Sequence, residues 1–207
     1  METLSFQTAY FNGALLMSGL IVSLGPQNVM AIRHGISGSY AVTLAALFIA
    51  ADAGLIVLGV ILASSGASFT GEGLPTTLTF VAVAYLSWLA LNSLSSAAAR
   101  GEQRRTEVSE QHNQLGKVML AGAAVTFLNP GVYIDTLGLI GVVAVKHQPQ
   151  QWALALGAIS TSLLWFLAIA LCGRICRPFF QSDASWRTLD LLAGIVMLSV
   201  AWQIFSL

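Results

Sequence analysis

The 207-residue chain is 56% hydrophobic and 9% charged, and its formal net charge at pH 7 is zero. Together with a mean hydropathy of +0.77, this composition is typical of an integral membrane protein whose partner is the lipid bilayer. No basic block favours nucleic-acid binding. No glycine-rich phosphate loop predicts a nucleotide site, so no cofactor is expected.

Six apolar runs follow one another along the chain, and a spanning helix needs about 20 residues. The first and fourth runs are too long for one straight span, and each contains a proline, Pro26 and Pro130. We therefore predict an all-α protein with six transmembrane helices, the first and fourth of them broken. The first run lacks the flanks of a signal peptide, so we expect it to be retained. The runs are Leu4–Ile32, Tyr40–Ser64, Leu74–Ala99, Val118–Val145, Trp152–Cys172 and Leu189–Leu207.

The two prolines lie about half the chain apart, and the same offset lays the second and third runs over the fifth and sixth. This indicates two three-helix halves, 1–99 and 118–207, joined by a charged linker, 100–117. Because three is odd, the second half enters the membrane from the opposite face. Such inverted repeats are common among secondary transporters.

The basic residues predict an orientation. With six spans, eight of the nine lysines and arginines share one side, and only Lys146 falls on the other. An excess of basic residues marks the cytoplasmic side, so we expect the linker in the cytoplasm and both termini outside. A five-span arrangement, with the termini on opposite faces, stays open. The eight residues are Arg33, Arg100, Arg104, Arg105, Lys117, Arg174, Arg177 and Arg187.

Each proline break places polar groups inside an apolar run. At the second break, an asparagine before the proline is typical of an N-cap followed by the first position of a restarting helix. The amides and positive dipole end of a restarting helix suit a carboxylate, whereas a plain kink that helps packing is the alternative. The residues are Gly25, Pro26, Gln27 and Asn28 at the first break and Asn129, Pro130 and Gly131 at the second.

Two aspartates, Asp52 and Asp135, lie well inside the spans. Asp52 is about 20 Å along its helix from Ser39, and Asp135 is about 27 Å from Lys117, so both can face one central cavity. A carboxylate at such depth costs about 2.5–3.5 kcal/mol. With no lysine or arginine deep in any run, the missing positive charge is predicted to be a proton or a ligand. The alternative is that both are protonated and bonded to nearby hydroxyls such as Tyr133.

Pairs of small residues spaced four apart occur in three of the runs and allow close helix contact. The pattern does not distinguish contact within one subunit from contact in a homodimer. The pairs are Ala50 with Gly54, Gly59 with Ala63, and Ala153 with Gly157.

The sequence resembles the lysine exporter family, and within it the arginine exporter branch, over essentially the whole chain. The most specific segments are Gly25-Pro26-Gln27-Asn28, followed by Gly35-Ile36, and Asn129-Pro130-Gly131-Val132-Tyr133-Ile134-Asp135-Thr136. The resemblance implies a bacterial inner-membrane exporter of basic amino acids such as arginine, lysine or canavanine, with Asp52 and Asp135 as the intramembrane aspartates. Val29 departs from the usual small residue of the first motif.

We expect a secondary exporter that exchanges the substrate for protons, since pushing a cation out of the cell costs about 2.3 kcal/mol per 100 mV. Facilitated efflux is the neighbouring mechanism. A divalent-cation transporter is an alternative, although the usual surplus of oxygen ligands is missing and no metal site is expected. An aspartate dyad like that of an aspartyl protease is a further alternative, but Ala51 and Ala53 flank Asp52 in place of glycine.

Overall fold

The computed structural model describes residues 5–21, 25–66, 76–98, 115–180 and 182–205, and within these ranges it contains helices and no strand. Most of the charged linker lies outside the described residues. The helices in chain order are α1 (Phe6–Ile21), α2 (Pro26–Ser37), α3 (Ala41–Ser64), α4 (Thr76–Ala98), α5 (Leu115–Phe127), α6 (Pro130–Tyr133), a π-helix (Ile134–Ile140), α7 (Gly141–Lys146), α8 (Gln151–Cys176), a 3₁₀ turn (Arg177–Phe180) and α9 (Asp183–Phe205).

Three described helices are long and apolar enough to cross a membrane: Ala41–Ser64, Gln151–Phe180 and Asp183–Trp202. Two bent pairs bring the number to five if each pair is one span, namely Phe6–Ile21 with Pro26–Ser37, and Leu115–Phe127 with Pro130–Lys146. The second pair bends by 61°. Both bends lie at the predicted breaks. Helix α4 has 23 residues and is not among these five.

The α1–α2 pair runs alongside α8, because glycines let the backbones touch. Gly13 lies against the Leu154 backbone and Gly157 against that of Tyr10, so a side chain at either glycine would collide. Further along, Gly35 of α2 meets Gly173 of α8. The Ala153–Gly157 pair predicted from the sequence therefore packs within the subunit.

Helix α3 lies at the centre of the bundle and has a fully buried core. Phe48 contacts Phe166 of α8 with ring centroids 5.2 Å apart. On another face, Gly59 meets the π-helix: a Cβ at Gly59 would lie 2.6 Å from the Thr136 carbonyl oxygen. This glycine therefore sets how closely the π-helix approaches α3.

Helices α4 and α9 pack along each other and touch the remaining helices at few points. A small cluster joins them to α2, formed by Val29, Ala90, Ala193 and Met197. The pair thus stands somewhat apart from the body built by the other described helices.

Candidate binding cavity

A cavity of about 270 Å³ lies between the two helix breaks. That volume is just below the range of about 300–1,000 Å³ for small-molecule pockets, so it suits a ligand of amino-acid size. Segments from both halves of the chain build its wall. Its polar lining residues are Gln27, Asn28, Asp52, Asn129, Asp135, Thr136 and Ser199.

Asp52 is held in place by a hydrogen bond from a neighbouring helix. The side chain is on α3 and the residue is 4% exposed. Its Oδ2 accepts a 2.6 Å hydrogen bond from the Ser162 hydroxyl of α8. This bond fixes the orientation of Asp52 and partly offsets the loss of water around it.

The first break is tied to both halves of the bundle through side-chain amides. Gln27 donates to the Thr126 hydroxyl over 2.9 Å, which joins α2 to α5. Asn28 donates to the Ile21 carbonyl over 2.7 Å, which bridges the gap between α1 and α2. Trp165 Nε1 in turn donates to Asn28 Oδ1 over 2.9 Å.

The two restarting helices differ in how their first amides are satisfied. At the second break, Asn129 Oδ1 accepts from the Gly131 amide over 3.1 Å and acts as the predicted N-cap. At the first break, the N-cap is Gly25, and α2 has no side-chain cap bond. Because the first amides of a helix have no intrahelical partner, the start of α2 keeps more capacity for an anion than the start of α6.

Asp135 lies in the π-helix, one residue after its start. Among the described residues, its half-buried carboxylate has no hydrogen-bond or ion-pair partner. π-helical turns are rare and frequently occur at functional sites. Asp135 is therefore the carboxylate of the cavity with the most capacity for a ligand.

Most of the predicted site residues come together at this cavity. Pro130 and Tyr133 do not line it: the Tyr133 hydroxyl donates to the Phe127 carbonyl over 2.8 Å and holds the second break from outside. The predicted residues that line the cavity are Gly25, Pro26, Gln27, Asn28, Asp52, Asn129, Gly131 and Asp135.

Three partners of these residues were not predicted as part of the site. Ser162 and Thr126 are fully buried and hydrogen-bond to Asp52 and Gln27, and Trp165 bonds to Asn28. The available signal is that a hydroxyl or indole N–H in an apolar span seeks a polar partner. The sequence does not say which helix supplies that partner.

The charged side chains that line the described cavity wall are all acidic. The wall contains two carboxylates, and no lysine or arginine lines it within the described part of the chain. The described residues also contain no group of three or more His, Cys, Asp or Glu that could hold a metal ion. Acidic groups on one side and a helix start with amide donors on the other can bind a zwitterion that carries an additional positive charge.

A helical bundle with broken spans and a polar cavity between them defines the class of membrane transport proteins. The match to a family model is more specific, because it covers residues 18–206. The chain belongs to the LysE type translocators.

Curated relatives agree with this membership. The chain is 34% identical over 198 residues to the arginine exporter protein ArgO of Salmonella enteritidis, covering 94% of this chain and 92% of that protein. It is 33% identical over 200 residues to ArgO of Klebsiella pneumoniae, covering 95% and 93%. No solved structure matches the chain.

Family membership confirms the predicted resemblance, the transport class and the location in the bacterial inner membrane. It also identifies the chain as a translocator and not an enzyme, so the aspartyl protease alternative is wrong.

Proposed function

We propose that this protein exports basic amino acids, arginine foremost, from the cytoplasm through the cavity between the two helix breaks. The observation that carries the proposal is the pair of carboxylates, Asp52 and Asp135, in a wall without a lysine or arginine among the described residues. A cationic side chain supplies the missing charge. The arginine exporters that the chain resembles along nearly its whole length support this substrate class, and lysine and canavanine carry the same charge.

Different lining residues bind different groups of the substrate. Asp135, whose carboxylate is unengaged among the described residues, pairs with the guanidinium or ammonium group of the substrate. The start of α2, with the backbone amides of Gln27 and Asn28, receives the α-carboxylate of the substrate. Asp52, oriented by Ser162, supplies the second negative charge. Asn129 and Tyr133 keep the second break in shape.

Proton antiport follows from the energetics of export. Moving one positive charge outward against an inside-negative potential costs about 2.3 kcal/mol per 100 mV. A carboxylate that binds either a proton or the substrate cation, but not both, exchanges one for the other. The proton enters as the cation leaves, so the net movement of charge is close to zero.

The membrane arrangement proposed for this function is six spans in two inverted halves, 1–99 and 118–207. Equivalent helices pair across the halves, which supports it: the broken first helices meet through Gln27 and Thr126, and the third helices, α4 and α9, pack on each other. The linker 100–117 is assigned to the cytoplasm. A reporter active only outside the cytoplasm and fused after Gln103 tests this, since activity there contradicts the assignment.

A homodimer remains a proposal with a narrower basis. Of the small-residue pairs, the one at Ala50 and Gly54 is exposed, and nothing lies within 4 Å of a Cβ built at Gly54. Cross-linking of Gly54→Cys in the membrane checks it, because a protein that stays monomeric gives no cross-linked dimer.

Efflux from proteoliposomes tests the function itself. Vesicles loaded with radiolabelled arginine should release it faster when the outer buffer is acidic, and unlabelled lysine or canavanine inside should compete. Citrulline, the neutral analogue of arginine, serves as the matched control. Arginine efflux that does not depend on the pH gradient would reject proton antiport. Absence of arginine efflux would reject arginine as the substrate.

A further inference from the structure

An ion pair between a buried aspartate and a partly exposed arginine lies outside the cavity and has no part in the site described above. Arg33 Nη2 is 2.8 Å from Asp190 Oδ1, and the same nitrogen donates to the Ser93 hydroxyl over 3.0 Å. Asp190 and Ser93 are 5% and 3% exposed. A carboxylate at such burial is costly unless it is paired and hydrogen-bonded, so its presence in a membrane bundle calls for a functional explanation.

This one arginine connects the two bodies of the bundle. Arg33 is on α2, Ser93 on α4 and Asp190 on α9. Since α4 and α9 pack mainly on each other, the Arg33 side chain holds both helices of that pair against the body. The neighbouring apolar contact, made by Val29 with Ala90 and Ala193, is small. Arg33 is thus a polar attachment of both helices to α2.

The pair lies beyond one end of the cavity. Arg33 is about 10 Å along α2 from Pro26, which lines the cavity, and Asp190 is about 13 Å along α9 from Ser199 on the cavity wall. Gly35, two residues after Arg33 in α2, packs on Gly173 of α8, and Arg174 follows Gly173 in the chain. This is the end where the basic residues gather, which the proposed orientation assigns to the cytoplasm.

The arginine is bonded in a way that allows release. Its Nε is buried and has no hydrogen-bond partner among the described residues. The Arg33 side chain is nevertheless 32% exposed, against 7% for Asp190. A guanidinium that is incompletely satisfied when paired, and that has a route to water, loses less on separating than a fully bonded one.

We propose that the Arg33–Asp190 ion pair is a latch that closes the cavity toward the cytoplasm. While it is formed, α9 stays against the body and its Ser199 and Val200 complete the cavity wall. When it separates, the α4–α9 pair moves away from α2 and the cavity opens to the cytoplasm. The assignment of the latch to the cytoplasmic side rests on the orientation in the proposed function. The latch itself rests on the contacts of Arg33.

Cysteine accessibility tests the latch without needing a substrate. Thr136, which lines the cavity and is 3% exposed, is replaced by cysteine after Cys172 and Cys176 are changed to serine. A membrane-impermeant thiol reagent is then applied to inverted and to right-side-out vesicles. Arg33→Gln and Asp190→Asn should each label severalfold faster from the cytoplasmic side. Arg174→Gln, an exposed arginine at the same end, is the matched control and should not change labelling.

The double variant Arg33→Gln/Asp190→Asn should label no faster than the single variants, because each single substitution already removes the same ion pair. Normal membrane abundance and normal arginine affinity with a lowered efflux rate complete the expected result. Unchanged labelling in correctly inserted Arg33→Gln overturns the latch, as do additive effects in the double variant. Faster labelling from the outer side alone contradicts the cytoplasmic assignment. If arginine is not transported at all, the labelling comparison still decides on the latch.

Discussion

The Ser162 hydroxyl of α8 lies 2.6 Å from Asp52 Oδ2 of α3, and both residues are buried. The two residues are 110 positions apart in the chain and belong to different halves. A carboxylate that must bind and release a cation needs a fixed orientation, which this bond supplies. Asp52 is therefore a pre-oriented group rather than a flexible one.

We expect Ser162→Ala to weaken arginine affinity by at least about tenfold, because a hydrogen bond to a charged group contributes about 1.5–3 kcal/mol. The control is Ser160→Ala on the same helix, whose exposed hydroxyl donates to the Leu156 carbonyl of its own helix. Equilibrium binding of radiolabelled arginine to the purified variants measures the effect. Equal affinities for the two variants would mean that Ser162 does not position Asp52 for binding.

Replacement of the two break prolines should have unequal effects. Pro26→Ala allows a continuous helix and withdraws the amides assigned to the substrate carboxylate, so efflux should fall about tenfold for the loss of one charge-assisted bond. Pro130→Ala should do less harm, because Asn129 already caps its own helix. Pro178→Ala, in an exposed 3₁₀ turn, is the control. Initial efflux rates per inserted protein decide, and normal export by the Pro26 variant rejects the carboxylate site.

Substitution of Gly59 tests the close contact between α3 and the π-helix. A Cβ there would lie 2.6 Å from the Thr136 carbonyl oxygen, whereas one at Gly19 of α1 would meet nothing within 4 Å. Gly59→Ala should destabilise the protein by about 1–3 kcal/mol through overpacking and weaken arginine binding by displacing Asp135. Thermal unfolding in detergent, with Gly19→Ala as the control, checks this. Two indistinguishable melting curves would refute the close contact.

The helix breaks could be predicted because their causes are local. Gly25 and Pro26 disfavour a continuous helix whatever surrounds them, and Asn129 caps its own neighbour. The π-helix could not be predicted, since its hydrogen-bond pattern depends on how α3 receives it at Gly59. The sequence indicates an offset repeat, but it does not say which helices pair.

The shared cavity of Asp52 and Asp135 could likewise be predicted from their depth in the spans. The partners could not, because Ser162 and Trp165 are presented by a distant helix. The sequence places Asp190 at the start of the last apolar run, next to Leu189. Its side chain is buried and paired with Arg33, and the signal for that pair is that the predicted topology puts both residues at the same membrane face.

The account depends most on Asp135 as the group that recognises the positive charge of the substrate. Asparagine keeps the size of this side chain and some of its hydrogen bonding but carries no charge. The direct measurement is equilibrium binding of arginine and of citrulline to purified wild-type protein and Asp135→Asn, with normal membrane abundance of both. We predict that wild-type protein binds arginine at least about tenfold more tightly than citrulline and that Asp135→Asn loses this preference. An Asp135→Asn protein that still prefers arginine by the wild-type margin would contradict the proposed site.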